Sequence, residues 1–173
     1  EFPEGDTSEA MEPYGFSDYQ EWGDAQGGPM DGLLKDPKIA DEAVDWLTKR
    51  APKVATTQPW FMTVNFVNPH DIMYFDTDAE EMVQVKGSIP IFSAPNTPLY
   101  LQKWPTTLPA SFFDDLEGQP PAVRSYKHLC DVYYGRIPMD RRDMWHNHVN
   151  YYLNCHLDVD RHIGAVLDAL EAS

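Results

Sequence analysis

The most pointed chemistry in this chain sits at Asn68-Pro69-His70-Asp71. An imidazolium can hold an anionic oxygen, and near neutral pH it can protonate a leaving alkoxide. Asp71, the next residue, can orient such a ring. The plainer reading has His70 capping a turn and Asp71 closing an Asx-turn onto nearby backbone; spacing alone leaves both open. A second group is His146, His148, His156 and His162, with Asp158 and Asp160 among them. Asp158 and His162 stand one helical turn apart, so both could reach one metal ion. Yet there is no His-Glu-x-x-His and no paired-cysteine spacing. Asp158 reads more simply as a solvated charge supporting His162 across that turn. His156 and Asp160 fall on an apolar helix face and read as buried polar groups bonded to loops. No metal site is expected from these residues.

Other acidic and nucleophilic residues carry less. Asp76-x-Asp78-x-Glu80 has the outline of a calcium loop, but Glu81 stands where such a loop needs its glycine. It reads as an exposed acidic turn. Asp114-Asp115-Leu116-Glu117 reads as a solvated charge run or a helix start. Cys130 and Cys155 have no activating context, and a disulfide or two free thiols are equally compatible with their number. No Gly-rich phosphate loop and no Gly-x-Ser-x-Gly elbow occurs. No complete catalytic set can be assembled from the chain.

The elements that must position these residues are uneven in clarity. Residues 1–35 are rich in Gly, Pro and acid and read as a long loop anchored by Tyr14, Phe16, Tyr19 and Trp22, or as a loose arm. A helix is predicted over 36–50, with Asp36 as N-cap, Pro37 at the first helical position, and Ile39, Ala43, Trp46, Leu47 and Arg50 following at the spacing of one stripe. Residues 60–67, Trp-Phe-Met-Thr-Val-Asn-Phe-Val, read as a strand apolar on both faces and buried between helices. Helix then strand is half of a βαβ unit, so the fold class is α/β. Because ligands in such sheets bind beyond the carboxyl ends of strands, His70 is well placed. Residues 68–125 hold eight prolines and little periodicity; short helices are expected around Asp78–Val83 and within 120–135. The clearest signal is a long amphipathic helix over 143–171. Val149, Tyr152, Leu153, His156, Val159, Asp160, Ile163, Val166, Leu167 and Leu170 are expected on its packed face. Asn147, Tyr151, Asn154, Asp158, Arg161 and Asp168 are expected on the other.

Composition excludes some functions. The chain has 173 residues with 13 Lys and Arg against 28 Asp and Glu, a net charge of −15. Nucleic-acid phosphates and anionic membrane surfaces are poor partners for such a chain. No apolar run approaches the ~20 residues of a spanning helix. Hydrophobic residues at 42% and aromatics at 13% can build a core, while 15 prolines predict much irregular backbone. The chain opens with Glu1-Phe2-Pro3 and no leader is read in it; an excised internal segment is expected.

Three stretches resemble one family. The first is Asp36-Pro37-Lys38-Ile39-Ala40-Asp41-Glu42-Ala43-Val44-Asp45-Trp46-Leu47. The second is Pro59-Trp60-Phe61-Met62-Thr63-Val64-Asn65-Phe66-Val67-Asn68-Pro69-His70-Asp71. The third joins Asn150-Tyr151-Tyr152-Leu153 to Asp158-Val159-Asp160-Arg161-His162-Ile163-Gly164-Ala165-Val166-Leu167-Asp168-Ala169-Leu170. Together with Leu108-Pro109-Ala110 through Leu116, they resemble the sulfatase family of the alkaline phosphatase superfamily over most of 36–171.

The resemblance implies a partial alkaline-phosphatase-like sandwich, one strand of a mixed sheet flanked by helices, with long irregular loops. It divides the chain into the irregular segment 1–35 and an internal part of a catalytic domain, 36–173. It implies a sulfuric-ester hydrolase whose formylglycine hydrate attacks sulfur while a divalent cation, usually calcium, clamps nucleophile and sulfate. His70 matches the histidine that touches sulfate and leaving-group oxygen, and Asp71 accompanies it as a substrate contact. The implied partners are a sulfated small molecule or glycan and the remainder of a parent polypeptide, and the implied location is periplasmic or secreted. The sequence departs from the family in three ways. It has no Cys/Ser-x-Pro/Ala-x-Arg motif, neither of the family's metal-binding motifs, and Ile72-Met73 where a proline is usual after the histidine. An inactive internal part of a longer sulfatase is therefore expected. The rivals are a phosphodiesterase or phosphonate monoester hydrolase of the same superfamily, or a non-catalytic acidic binding domain.

Overall fold

A computed structural model describes residues 5–6, 11–21, 28–77 and 85–173. In chain order the elements are β1 (Gly5–Asp6), β2 (Gln20–Glu21), α1 (Asp31–Lys49), α2 (Ala51–Val54), β3 (Val85–Lys86), α3 (Pro121–Tyr133), β4 (Gly135–Arg136) and α4 (Arg142–Glu171). Short 3-10 turns lie at Glu12–Tyr14, His70–Tyr74 and Ala110–Phe113. The strands form two small antiparallel pairs, β1 with β2 and β3 with β4. The described part is thus helix-rich. The chain divides into two compact units, Glu1–Asn68 with Val159–Ser173, and Pro69–Asp158.

In the first unit, α1 starts five residues before the predicted Asp36. Gly28 N–H donates to the Asp31 carboxylate at 2.6 Å, and Lys35 pairs with Asp31 at 3.1 Å, so the first turn is closed before Asp36 is reached. Pro37 lies inside the helix. Asp36 is not an N-cap: it is wholly buried, and its carboxylate accepts the backbone N–H of Val67 at 2.7 Å and of Asn68 at 3.0 Å. Gly32, which looks like loop punctuation in the sequence, is a packing residue. A Cβ there would overlap the Asn68 carboxamide.

Residues 60–67 alternate in exposure with the period of a strand. Trp60, Met62, Val64 and Phe66 are half-buried, while Phe61 is 79% exposed. The segment makes no ladder with another strand among the described residues, and only one of its faces is covered. The expected burial on both faces is not seen here. The core of this unit is Leu47, Ala51 and Ala169, with Val44, Trp46, Trp60, Met62 and Val166 packed on it. The Trp46 indole meets Trp60 edge-on at 5.2 Å and donates to Asp18 at 2.9 Å, while Arg50 pairs with Asp18 at 2.7 Å. Asp18 thereby ties residues 11–21 to α1. Tyr14 and Phe16 are exposed rather than buried as anchors; Trp22 lies outside the described residues.

In the second unit the predicted helix within 120–135 is α3; the long C-terminal helix, α4, belongs to this unit up to Asp158 and to the first from Val159 on. The faces of α4 differ from expectation. Tyr151, Asn154 and Asp158 are buried, whereas Tyr152, His156, Asp160, Ile163, Leu167 and Leu170 are exposed. The reason lies in what α4 packs against. The irregular chain around Tyr100–Trp104 has no ladder of its own, so its polar groups need side-chain partners. Asn150, Asn154 and Asp158, each one turn apart, supply them. Trp104 N–H donates to Asn150 Oδ1 at 2.9 Å and its indole N–H to Asn154 Oδ1 at 2.8 Å. Asn154 Nδ2 donates to the carbonyls of Tyr100 and Gln102 at 2.9 and 3.0 Å. The Tyr100 hydroxyl donates to Asp158 at 2.6 Å. The turn expected around Asp78–Val83 lies outside the described residues.

Replacing Asp36 with alanine strands two backbone donors at the end of the 60–67 segment. The expected loss is about 2–3 kcal/mol of unfolding free energy, read as a lower denaturant midpoint. An unchanged midpoint would contradict the role given to this carboxylate.

Candidate functional site

Pro69 cannot extend the preceding backbone as helix, and its carbonyl accepts Ile72 N–H at 3.2 Å, which starts the 3-10 turn with His70 as first residue. The turn is held on one side by backbone. Phe92 N–H donates to the Tyr74 carbonyl at 2.7 Å, and Asp76 N–H to the Phe92 carbonyl at 2.8 Å. On the other side Phe75 stacks flat on Tyr151, with centroids 4.1 Å apart and planes 10° apart.

His70 is half-buried, its ring 6.1 Å from that of Tyr74. Its Nδ1 is enclosed and has no hydrogen-bond partner among the described residues. An enclosed N–H without an acceptor is rarer than an enclosed acceptor without a donor. The neutral ring is therefore best accommodated with its proton on Nε2. Asp71 is 1% exposed, so it is not a solvated turn residue. Its charge acts on Tyr151: burial first, then Cys155 and Asp71, push the phenol far above its ordinary value and keep it neutral. Burial and the bond to Asp158 do the same to Tyr100.

The four late histidines do not converge. His148 is largely buried between Trp145 at 6.0 Å and Phe75 at 6.2 Å, and burial lowers its pKa to about 4. His146 is half-buried, His156 is exposed edge-on to Tyr152, and His162 stacks over Phe66 at 6.5 Å. Asp158, expected on the solvent face beside His162, is wholly buried and occupied by Tyr100. His156 and Asp160, expected to be buried, are exposed. Asp114 and Asp115 are exposed, as the solvated-run reading expects, and each accepts a backbone N–H two residues on, at 2.9 and 2.8 Å. Asp78 and Glu80 lie outside the described residues. Both cysteines are free thiols, Cys155 wholly buried and Cys130 half-buried. Sequence reasoning missed Tyr100, Asn150, Asn154 and Tyr151. The signal that could have found them is the one-turn spacing of Asn150, Asn154 and Asp158.

The sulfatase family model matches residues 5–173, essentially the whole chain, and the chain belongs to the sulfatase family, a family of hydrolases. No match was found among curated proteins, nor among solved structures. The family generally uses a divalent cation, and the described residues do not make a site for one. Among the described residues no three His, Cys, Asp or Glu side chains come together as a cage. The buried carboxylates of Asp36 and Asp158 are already taken by Val67, Asn68 and Tyr100. No helix among the described residues is long and apolar enough to cross a membrane.

His148 gives a pH test. Its folded pKa of about 4 lies below the ordinary 6.5, so as pH falls the unfolded chain takes up that proton first. This contribution is complete above pH 6.5 and is lost progressively toward pH 4, at up to about 1.4 kcal/mol per pH unit. Unfolding free energies at several pH values should fall more steeply in the wild type than in His148→Phe. Equal slopes would mean that the buried imidazole is not what titrates.

Proposed function

We propose that this chain is an internal part of the catalytic domain of a sulfuric-ester hydrolase, and that His70 is the residue in it that meets the sulfate and the leaving-group oxygen. The observation that carries the reading is the placement of His70. It stands first in a pinned turn, directly after a strand-like segment, in a chain matched to the sulfatase family over 5–173. Neutral, with its proton on Nε2, the ring donates one hydrogen bond to an anionic oxygen; as the imidazolium it can protonate a departing alkoxide and return to the neutral ring. Asp71 sits beside it in the same turn. The ester sulfur is attacked by a nucleophile from outside this chain, because no Cys/Ser-x-Pro/Ala-x-Arg motif is present in it. The substrate class is a sulfated small molecule or glycan, and the parent protein is periplasmic or secreted.

Two surfaces support the place of this chain within a larger α/β sandwich. The extended segment 60–67, which makes no ladder among the described residues, is suited to joining a sheet, and its uncovered side-chain face to packing against another layer. The side chains Val123, Tyr126, Leu129, Val132 and Tyr133 of α3 are exposed, an apolar surface suited to burial.

The 173-residue chain alone should not turn over a chromogenic aryl sulfate, with or without calcium. In the longer protein that carries it, His70→Ala should lower kcat by about 10²–10⁴. Turnover by the chain alone, or full activity of the longer variant, would sink the proposal.

A further inference from the structure

We infer that Tyr151 is a positioning residue for His70: its ring, fixed on α4, carries the turn that presents the imidazole. The inference rests on the reading of His70 as the sulfate-facing residue, and it adds which group sets that histidine's orientation. Two residues of this stretch are buried, Asp71 and, immediately after the turn, Phe75. Phe75 lies flat on the Tyr151 ring; Asp71 is enclosed at the other end of the turn, and its charge adds to what raises the Tyr151 phenol. A turn this short, fixed at the residue after His70 and again at its end, leaves His70 little freedom of its own. The ring that flanks it, Tyr74, is held through its carbonyl by Phe92.

Tyr151 is itself immobilised. Tyr100 packs against it with centroids 5.6 Å apart, and the Tyr100 hydroxyl is bonded to wholly buried Asp158. Cys155, also wholly buried, lies one turn along α4 and, after burial itself, is the next influence raising the Tyr151 phenol. The orientation of the imidazole is thus traced to the register of α4 through a single flat aromatic contact. A residue that merely filled space would tolerate any apolar replacement of similar volume; a platform for Phe75 requires a planar ring.

The test uses the whole 173-residue chain with nitrogen-15 in its imidazoles and needs no sulfate, so it can fail while the activity of the longer protein still depends on His70. The ring signals of His70 are compared in wild type, Tyr151→Phe and Tyr151→Leu, with those of His162 as the internal reference. Tyr151→Phe keeps the stack and should leave His70 with its wild-type Nε2-protonated signature. Tyr151→Leu should shift and broaden the His70 signals while His162 stays in place. Unchanged His70 signals in a folded Tyr151→Leu chain overturn the inference, as does an equal disturbance in Tyr151→Phe. If Tyr151→Leu does not fold, Phe75→Leu removes the other half of the stack and is read in the same way, with Phe75→Tyr as its conservative partner.

Discussion

The second unit depends on one constraint: a proline-rich stretch of backbone cannot be buried until its polar groups find partners. Between Tyr100 and Trp104 there is no helix or ladder to supply them, and α4 does so with a column of Asn150, Asn154 and Asp158. Asn154 is fully engaged, donating to two carbonyls and accepting an indole N–H. A buried amide left half-satisfied here would cost more than an apolar residue. Once the column is fixed, Tyr100 is fixed, Tyr151 beside it is fixed, and the turn that begins at His70 has a surface to rest on.

The first unit solves the same problem with a charge. Val67 and Asn68 end an extended segment whose N–H groups have no ladder to join among the described residues, and the Asp36 carboxylate takes both. Gly32, one turn earlier on α1, gives the Asn68 side chain room. Asp36 and Asp158 are therefore buried carboxylates used as acceptors for the fold.

Much of the architecture was legible. The apolar stripe of 143–171 gave α4 nearly to the residue, the 120–135 region gave α3, and the Trp-Phe-Met-Thr-Val-Asn-Phe-Val run gave a segment with strand periodicity ending just before His70. The face of α4 was not legible from hydropathy. Counting apolar positions placed Tyr152, Ile163 and Leu167 inside and Asn154 and Asp158 outside, and the structure reverses both. Hydropathy scores a side chain against water, whereas Asn154 and Asp158 are buried against backbone that needs hydrogen bonds. The same blindness made Asp36 look like a cap, since a carboxylate near a helix start has a local use and its long-range one is invisible.

By itself, then, the sequence determined the helices, the extended run, the position of His70 in the chain and membership of the sulfatase family, because periodicity, proline and family motifs are properties of neighbouring residues. Only the tertiary structure decided which polar groups are buried and what His70 stands on. Those outcomes depend on pairs far apart in the chain, such as Asp36 with Val67, Tyr100 with Asp158 and Phe75 with Tyr151, and their partnership is set by folding rather than by spacing.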